Sequence, residues 1–349
     1  MQRFNEKLVA HLRKKTQFQL LVWGGSQIFL PFFVFWAFLR SSYVCLWQKI
    51  ACIYVSDGLL SPLGVVLKYL FRKPLIVTIH GKDAAFSFIL YQKVLAWSLK
   101  NADRVICVSQ ELKEACLQKS VPLNKIEVIP NGVDVEDFNV EPTLEDIDAI
   151  EKKIGQSLRG RRILLTVGRL ISKKGVDSFI LNILPRILEK NRNLLYLIVG
   201  DGPLKRKIQN TIDAKEWNDY VHLFGSLPMG SHLLKKIYAL SDIFVMPNVP
   251  VVGDIEGFGI VALEAAASGL PVVASAVDGI TDAIRDRENG FLIEYDQYGA
   301  FAEKIIEMLG NDSYRKSCGL RAREFVKENY SWQSITQRYF QLFEDIGKG

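Results

Sequence analysis

Along most of the chain, short apolar runs alternate with stretches whose apolar residues recur every three or four positions. Phe4, Leu8, Val9 and Leu12 form such a helical stripe within residues 4–15, and Gln17–Trp23 (QFQLLVW) reads as a strand closed by Gly24-Gly25. Further strands are predicted at Ile50–Val55, Leu75–His80, Arg104–Val108 and Lys125–Ile129, with helices at 61–71, 84–99 and 110–118 between them. Strands separated by helices predict a parallel, doubly wound sheet, because a parallel pair needs a crossover long enough to hold a helix. Pro130 and Asn131-Gly132 are turn signals that interrupt the series, and the acidic residues 135–158 read as a link carrying one helix. A second α/β series follows, with strands at 163–167, 195–199, 220–223, 243–246 and 271–274, and a last helix over 332–345 behind Ser331 as N-cap. The chain therefore divides into a first Rossmann-like domain at 1–134, a linker at 135–160, a second Rossmann-like domain at 161–330 and a terminal helix at 331–349.

Ile28–Leu39 (IFLPFFVFWAFL) is twelve apolar residues long, too short to cross a bilayer as a helix. It reaches spanning length only by taking in Arg40, Ser41 and Ser42, so a buried or surface helix, a helix lying in a membrane interface, and a true span all stay open.

Charge changes this picture more than composition does. The whole chain is 49% hydrophobic and 23% charged, as in ordinary globular proteins. Residues 1–132 carry 17 Lys and Arg against 7 Asp and Glu, a net +10, and the remainder 27 against 31, a net −4. A basic first half suits an anionic partner. Its aromatic residues are not interleaved with the basic ones as on a nucleic-acid platform, so a lipid surface or a phosphorylated acceptor is favoured over nucleic acid. The five cysteines match neither a zinc pattern nor CxxC and read as buried thiols in a reducing compartment. Asp146-Ile147-Asp148 spells D-x-D but follows no apolar strand, so no metal site is expected.

The candidate chemistry sits in the second half. After the predicted strand IFVMP comes a loop with Gly253, Gly257 and Gly259, and then a helix starting near Gly259. Glycines before a helix start let backbone N–H groups approach an anion that the helix dipole also favours. Glu256 and Glu264 bracket this cradle; carboxylates beside a phosphate site are suited to sugar hydroxyls, Glu256 to a hexose and Glu264 to a ribose. The second element is TVGRLISKKG, where Arg169 can fork onto two phosphate oxygens and Lys174 adds a point charge.

GRLISKKG, VGDGPLKRKI and EGFGIVALE, together with VICVSQELKEACL and VIPNGVDVEDF upstream, resemble family 4 of the glycosyltransferases over roughly residues 50–330. That resemblance implies the GT-B fold, two Rossmann-like domains facing a cleft, and transfer of a sugar from a nucleotide-diphosphate sugar with retention at the anomeric carbon. It implies donor contacts from Gly168, Arg169 and Lys174 to the diphosphate. Glu256 would meet the hexose, the backbone from Gly257 through Phe258 and Gly259 to Ile260 the sugar and phosphates, and Glu264 the ribose. Gly200 and Leu227 would lie near the base, and His80 would face the reacting centre. Asp57 and Asp83 are weaker acceptor-side candidates. Catalysis is expected to rest on His80, Glu256, Arg169 and Lys174 without metal or cofactor, the nucleotide sugar being a substrate.

Members of that family open with a strand and a glycine-rich loop, whereas this sequence opens at a helix, so the first domain is expected to lack its N-terminal strand. A donor-binding but inactive homologue and a GT-B nucleotide-sugar epimerase stand as alternatives. A dinucleotide fingerprint fails because Lys205 stands where its last glycine belongs. The acceptor is expected to be a glycan or lipid-linked saccharide, and the protein cytoplasmic, peripheral on the inner face of the cytoplasmic membrane, with an anionic lipid surface as partner.

Overall fold

A computed structural model of the chain describes residues 2–81, 83, 88–252, 254 and 257–347. It divides into two compact units, residues 1–132 with 332–349, and residues 133–331.

The first unit runs α1 (Gln2–Leu12), α2 (Leu30–Trp47), β1 (Ile53–Val55), α3 (Ser61–Phe71), β2 (Leu75–Ile79), α4 (Ile89–Asn101), β3 (Arg104–Cys107), α5 (Gln110–Gln118) and β4 (Ile126–Val128), joined by the C-terminal helix Trp332–Gly347. Among the described residues the strands form one parallel sheet in the order β1-β2-β3-β4. Each crossover steps to the next strand in the same direction. Right-handed connection therefore places α3, α4 and α5 on one face. Leu75, Val77 and Ile79 of β2 point to that face, against Val65, Leu95 and Leu112. Ile76 and Ile106 point to the other, against Phe4, Leu8 and Leu12 of α1 and Ile335 and Tyr339 of the C-terminal helix. Two-residue alternation with both sides buried makes β2 apolar at four of its five positions. Close packing also fixes Gly132, where a Cβ would come within 2.7 Å of the Trp332 ring.

Two expectations change here. Gln17–Trp23 is not a strand: residues 16–24 have no regular structure. Its apolar residues pack on helices instead, with Phe18 against the α1 cluster and Trp23 against Phe33 of α2 at 5.2 Å between ring centroids. Leu20 and Val22 are exposed. The apolar run at 28–39 continues through Arg40-Ser41-Ser42 as the single 18-residue helix α2.

The second unit holds β5 (Arg162–Val167), β6 (Leu194–Val199), β7 (Val221–Gly225), β8 (Ile243–Met246), β9 (Val272–Ser275) and β10 (Phe291–Ile293), in the parallel order β10-β9-β8-β5-β6-β7. Its main helices are α6 (Leu144–Ile154), α7 (Leu184–Lys190), α8 (Lys205–Ala214), α9 (His232–Leu240), α10 (Ile260–Ala267), α11 (Tyr298–Gly310) and α12 (Asp312–Tyr330). Leu165, Leu195 and Leu197 face one core, Leu164, Tyr196 and Ile198 the other. Val135, Phe138, Ile150 and Ile154 pack into the first of these, so the acidic segment 135–158 is built into this unit. After Gly175 the chain forms an irregular helix: one turn at Val176–Ser178 passes through a π turn at Phe179–Ile183 before α7. Pro185 explains the break, since it has no N–H to give and its ring crowds the carbonyl four residues back.

Candidate functional site

Strand order reverses between β5 and β8. The chain runs one way through β5-β6-β7 and the other through β8-β9-β10. In such sheets the loops leaving the carboxyl ends at the reversal splay apart and leave a crevice for a ligand. The residues of TVGRLISKKG and of the glycine loop after β8 lie at this point.

Backbone packing holds these loops in place. Gly168 N–H donates to Val199 C=O at 3.0 Å, Leu170 N–H to Asp201 C=O at 2.9 Å, and Val249 N–H to Lys173 C=O at 3.0 Å. A Cβ on Gly200 would stand 1.8 Å from the Gly168 carbonyl oxygen, and one on Gly175, at φ +61°, 1.9 Å from that of Pro247. No side chain fits at either place without moving a strand end. Lys173 adds an ion pair to Asp254 at 2.7 Å, which ties the loop after β5 to the loop after β8. Thr166 Oγ1 meets Val245 C=O at 2.6 Å and Tyr196 Oη at 2.8 Å, locking β5 to both neighbours just below the loops.

The two cations expected at the phosphates differ in their surroundings. Arg169 is exposed and makes no ion pair among the described residues. The aliphatic part of Lys174 runs over Gly168, its Cε 3.6 Å from where a Cβ there would stand, so it lies across the end of β5. Gly259, at φ +70°, starts α10, and the first turn of that helix holds no acidic residue to fill its positive end. Phe258 turns inward, 4% exposed and against Tyr330, so this segment presents backbone to the loop side. Ile260 is half-buried against the same core. Glu256 lies outside the described residues.

Glu264 is 1% exposed, and its Oε2 accepts from Tyr238 Oη at 3.3 Å. A carboxylate this buried must be held by hydrogen bonds, because an unpartnered charge in such surroundings costs several kcal/mol or takes up a proton. Gly200 N–H donates to Gly225 C=O at 2.9 Å, which joins the ends of β6 and β7, and Leu227 beyond them is half-buried on the core. Sequence reading did not single out Tyr238 or the buried Asn248. Tyr238 gave no signal in its apolar helix; Asn248, directly after Pro247 at the strand end, could have been found as a polar residue following a buried strand.

In the first unit His80 directly follows β2 and is buried, with Nε2 lacking a hydrogen-bond partner among the described residues. Burial lowers its pKa to about 4, opposed by a hydrogen bond to the Ser56 backbone, so the ring is neutral at pH 7. The Phe4 ring meets it edge-on at 5.0 Å. Asp83 is buried beside it: one oxygen accepts from His80 N–H at 2.9 Å, the other from Tyr91 Oη at 3.1 Å, and Gly58 N–H adds a third bond. Burial and the nearby Asp57 raise the pKa of Asp83 against these bonds. Asp57 accepts from Leu60 N–H at 3.0 Å and so closes the turn into α3. Asp146 is engaged elsewhere: it forms a capping box with Thr143 at the start of α6 and accepts from Lys236 Nζ at 2.6 Å. Cys107 and Cys116 are buried with their sulfurs 3.7 Å apart.

Comparison with known proteins places this arrangement. The profile of the family described as "Glycosyl transferases group 1" matches residues 148–325, and that described as "Glycosyltransferase Family 4" matches residues 10–137. An uncharacterized glycosyltransferase of Methanocaldococcus jannaschii is 28% identical over 85% of this chain and 76% of its own length. A GDP-mannose-dependent alpha-(1-6)-phosphatidylinositol monomannoside mannosyltransferase of Mycolicibacterium smegmatis is 25% identical over 81% and 73%. Among solved structures, Anabaena HepE in complex with UDP and glucose superposes with a TM-score of 0.72 at 19% identity, covering 92% of this chain and 83% of that one. The shared fold is GT-B.

Proposed function

We propose, from the premise that this chain belongs to the glycosyl transferases group 1 family, that it moves a sugar from a nucleotide-diphosphate sugar to a glycan or lipid-linked acceptor with retention of anomeric configuration. The observation that carries the donor half is the meeting, at the sheet's reversal point, of exposed Arg169, Lys174 lying across Gly168, and the acid-free start of α10. Two cations and a helix start beside a β-strand terminus suit a diphosphate. The same groups would stabilise the charge that develops on the leaving diphosphate. Glu264, buried under the loop, would take the ribose hydroxyls in exchange for part of its present bonding. Gly200 and Leu227 would border the base, and Glu256 would hold the hexose. In the first unit, neutral His80 would offer its Nε2 to a substrate hydroxyl. The HepE complex with UDP and glucose and the GDP-mannose dependence in the mycobacterial relative's name support a donor of this class without choosing the base. Metal independence is supported by Asp146, whose carboxylate already serves Thr143 and Lys236.

A panel of UDP-, GDP- and ADP-sugars titrated calorimetrically onto the full chain tests this. One donor should bind, Arg169→Ala should weaken it about tenfold to a hundredfold through the lost charge-assisted bonds, and EDTA should change neither binding nor transfer. Binding of no sugar nucleotide, or binding that survives both Arg169→Ala and Glu264→Ala, would overturn the assignment.

A further inference from the structure

The first unit presents an apolar face that its own core does not use. α2 rests on the unit through Phe33, Ala37 and Val44. The opposite stripe is equally apolar: Phe32, Phe35, Trp36, Leu39, Leu46 and Trp47 are each between 51% and 76% exposed. α2 packs on α3, and α3 on α4, in one layer. The outer faces of those neighbours continue the surface with Tyr69 and Leu70, and with Ile89, Leu90 and Trp97. Taking ~200 Å² for a large side chain, the exposed part of α2 alone is on the order of 500–1,000 Å². Patches on soluble monomers seldom exceed about 600 Å² without a partner.

Charge identifies the partner. Residues 13–102 carry 11 Lys and Arg against only Asp57 and Asp83. Asp83 is buried, whereas Arg40 and Lys49 on and just beyond α2, Arg72 beyond α3, and Lys93 and Lys100 on α4 are exposed. A large apolar, aromatic face with cations around it and few anions suits an anionic bilayer surface, where rings enter the interface and cations meet headgroups. No acidic residue stands on α2, α3 or α4.

We propose that α2, α3 and α4 form a platform that docks in the plane of an anionic membrane. α2 is the one described helix long and apolar enough to cross a bilayer, at 18 residues or about 27 Å. Crossing would place exposed Arg40 near the bilayer centre, at about 2.5–3.5 kcal/mol on insertion scales. It would also strip Phe33, Ala37 and Val44 from the unit's core. Lying flat keeps that stripe packed and lets Arg40, 5.5 Å over the Tyr43 ring, reach the headgroups. This inference rests on the first unit alone and stands apart from the donor reading.

Co-sedimentation of the full chain with phosphatidylcholine vesicles, with and without phosphatidylglycerol, tests it. Binding should need the anionic lipid and fall as salt rises. The triple variant Phe35→Ser, Leu39→Ser, Trp97→Ser should bind at least about tenfold more weakly with an unchanged melting temperature, since all three positions are exposed. Lys93→Gln with Lys100→Gln should reduce binding about tenfold to thirtyfold at low salt while leaving the apolar face intact. Equal binding to neutral vesicles, or triple-variant binding equal to wild type, would overturn the proposal. Retention in the pellet after alkaline carbonate washing would assign a span instead. A vesicle-free dimer that the triple variant abolishes would assign the face to a second copy.

Discussion

Replacing His80 by Gln should remove a defined part of the protein's acid sensitivity. Burial favours the neutral imidazole and lowers its pKa from 6.5 to about 4. The unfolded chain takes up a proton as pH falls through 6.5, while the folded chain resists until about 4. The neutral ring's contribution is therefore fully present above pH 6.5 and is lost as pH falls toward 4. At 1.36 kcal/mol per unit the whole difference is about 3 kcal/mol, of which about 2 kcal/mol is lost between pH 7.5 and 5. Urea unfolding of wild type and His80→Gln across that range measures it. His222, also depressed by burial, and the carboxylates contribute equally to both proteins and cancel in the difference. Wild type should lose about 2 kcal/mol more than the variant. Parallel stability curves would refute the burial of an uncharged ring, as would an NMR titration placing His80, among four histidines, near 6.5. A neutral His80 also predicts that donor binding shows no break between pH 5 and 8 arising from this residue.

Other outcomes follow from the packing. Gly175→Ala should cost about 2 kcal/mol or more in thermal unfolding and weaken donor binding, because its Cβ would meet the Pro247 carbonyl; Gly155→Ala, at φ +71° with open space around it, should cost only about 1 kcal/mol and leave binding alone. Asp83→Asn keeps the shape but puts a donor where an acceptor served His80, Tyr91 or Gly58, and should destabilise by about 1–3 kcal/mol as read by chemical denaturation.

How much of this was legible in sequence depended on what each residue answers to. The strand at 243–246 and the helices at 61–71 and 110–118 fall where the apolar spacing put them, because local periodicity and burial agree there. β10 was missed: three residues, Phe291–Ile293, are too few to show a period, and its pairing with β9 exists only once the sheet has formed. Gln17–Trp23 failed in the opposite way: it is apolar enough for a strand, but among the described residues no strand pairs with it. The candidate site shows the same division. Gly175, Gly200 and Gly259 announce themselves because only glycine tolerates the close approach or the left-handed turn they make, and that requirement is written in the residue itself. Glu264 does not announce its surroundings. From its place in a helix it could be a solvated surface residue, and its burial against Tyr238 follows from α9 and α10 meeting at one core, a contact 26 residues apart in the chain. The same holds for α2. Its composition left a core helix, an interfacial helix and a span all open, and only the packing of Phe33, Ala37 and Val44 divides its surface into an anchored stripe and an outward one. An apolar sequence states how strongly a face avoids water; the fold decides which face is left to do so.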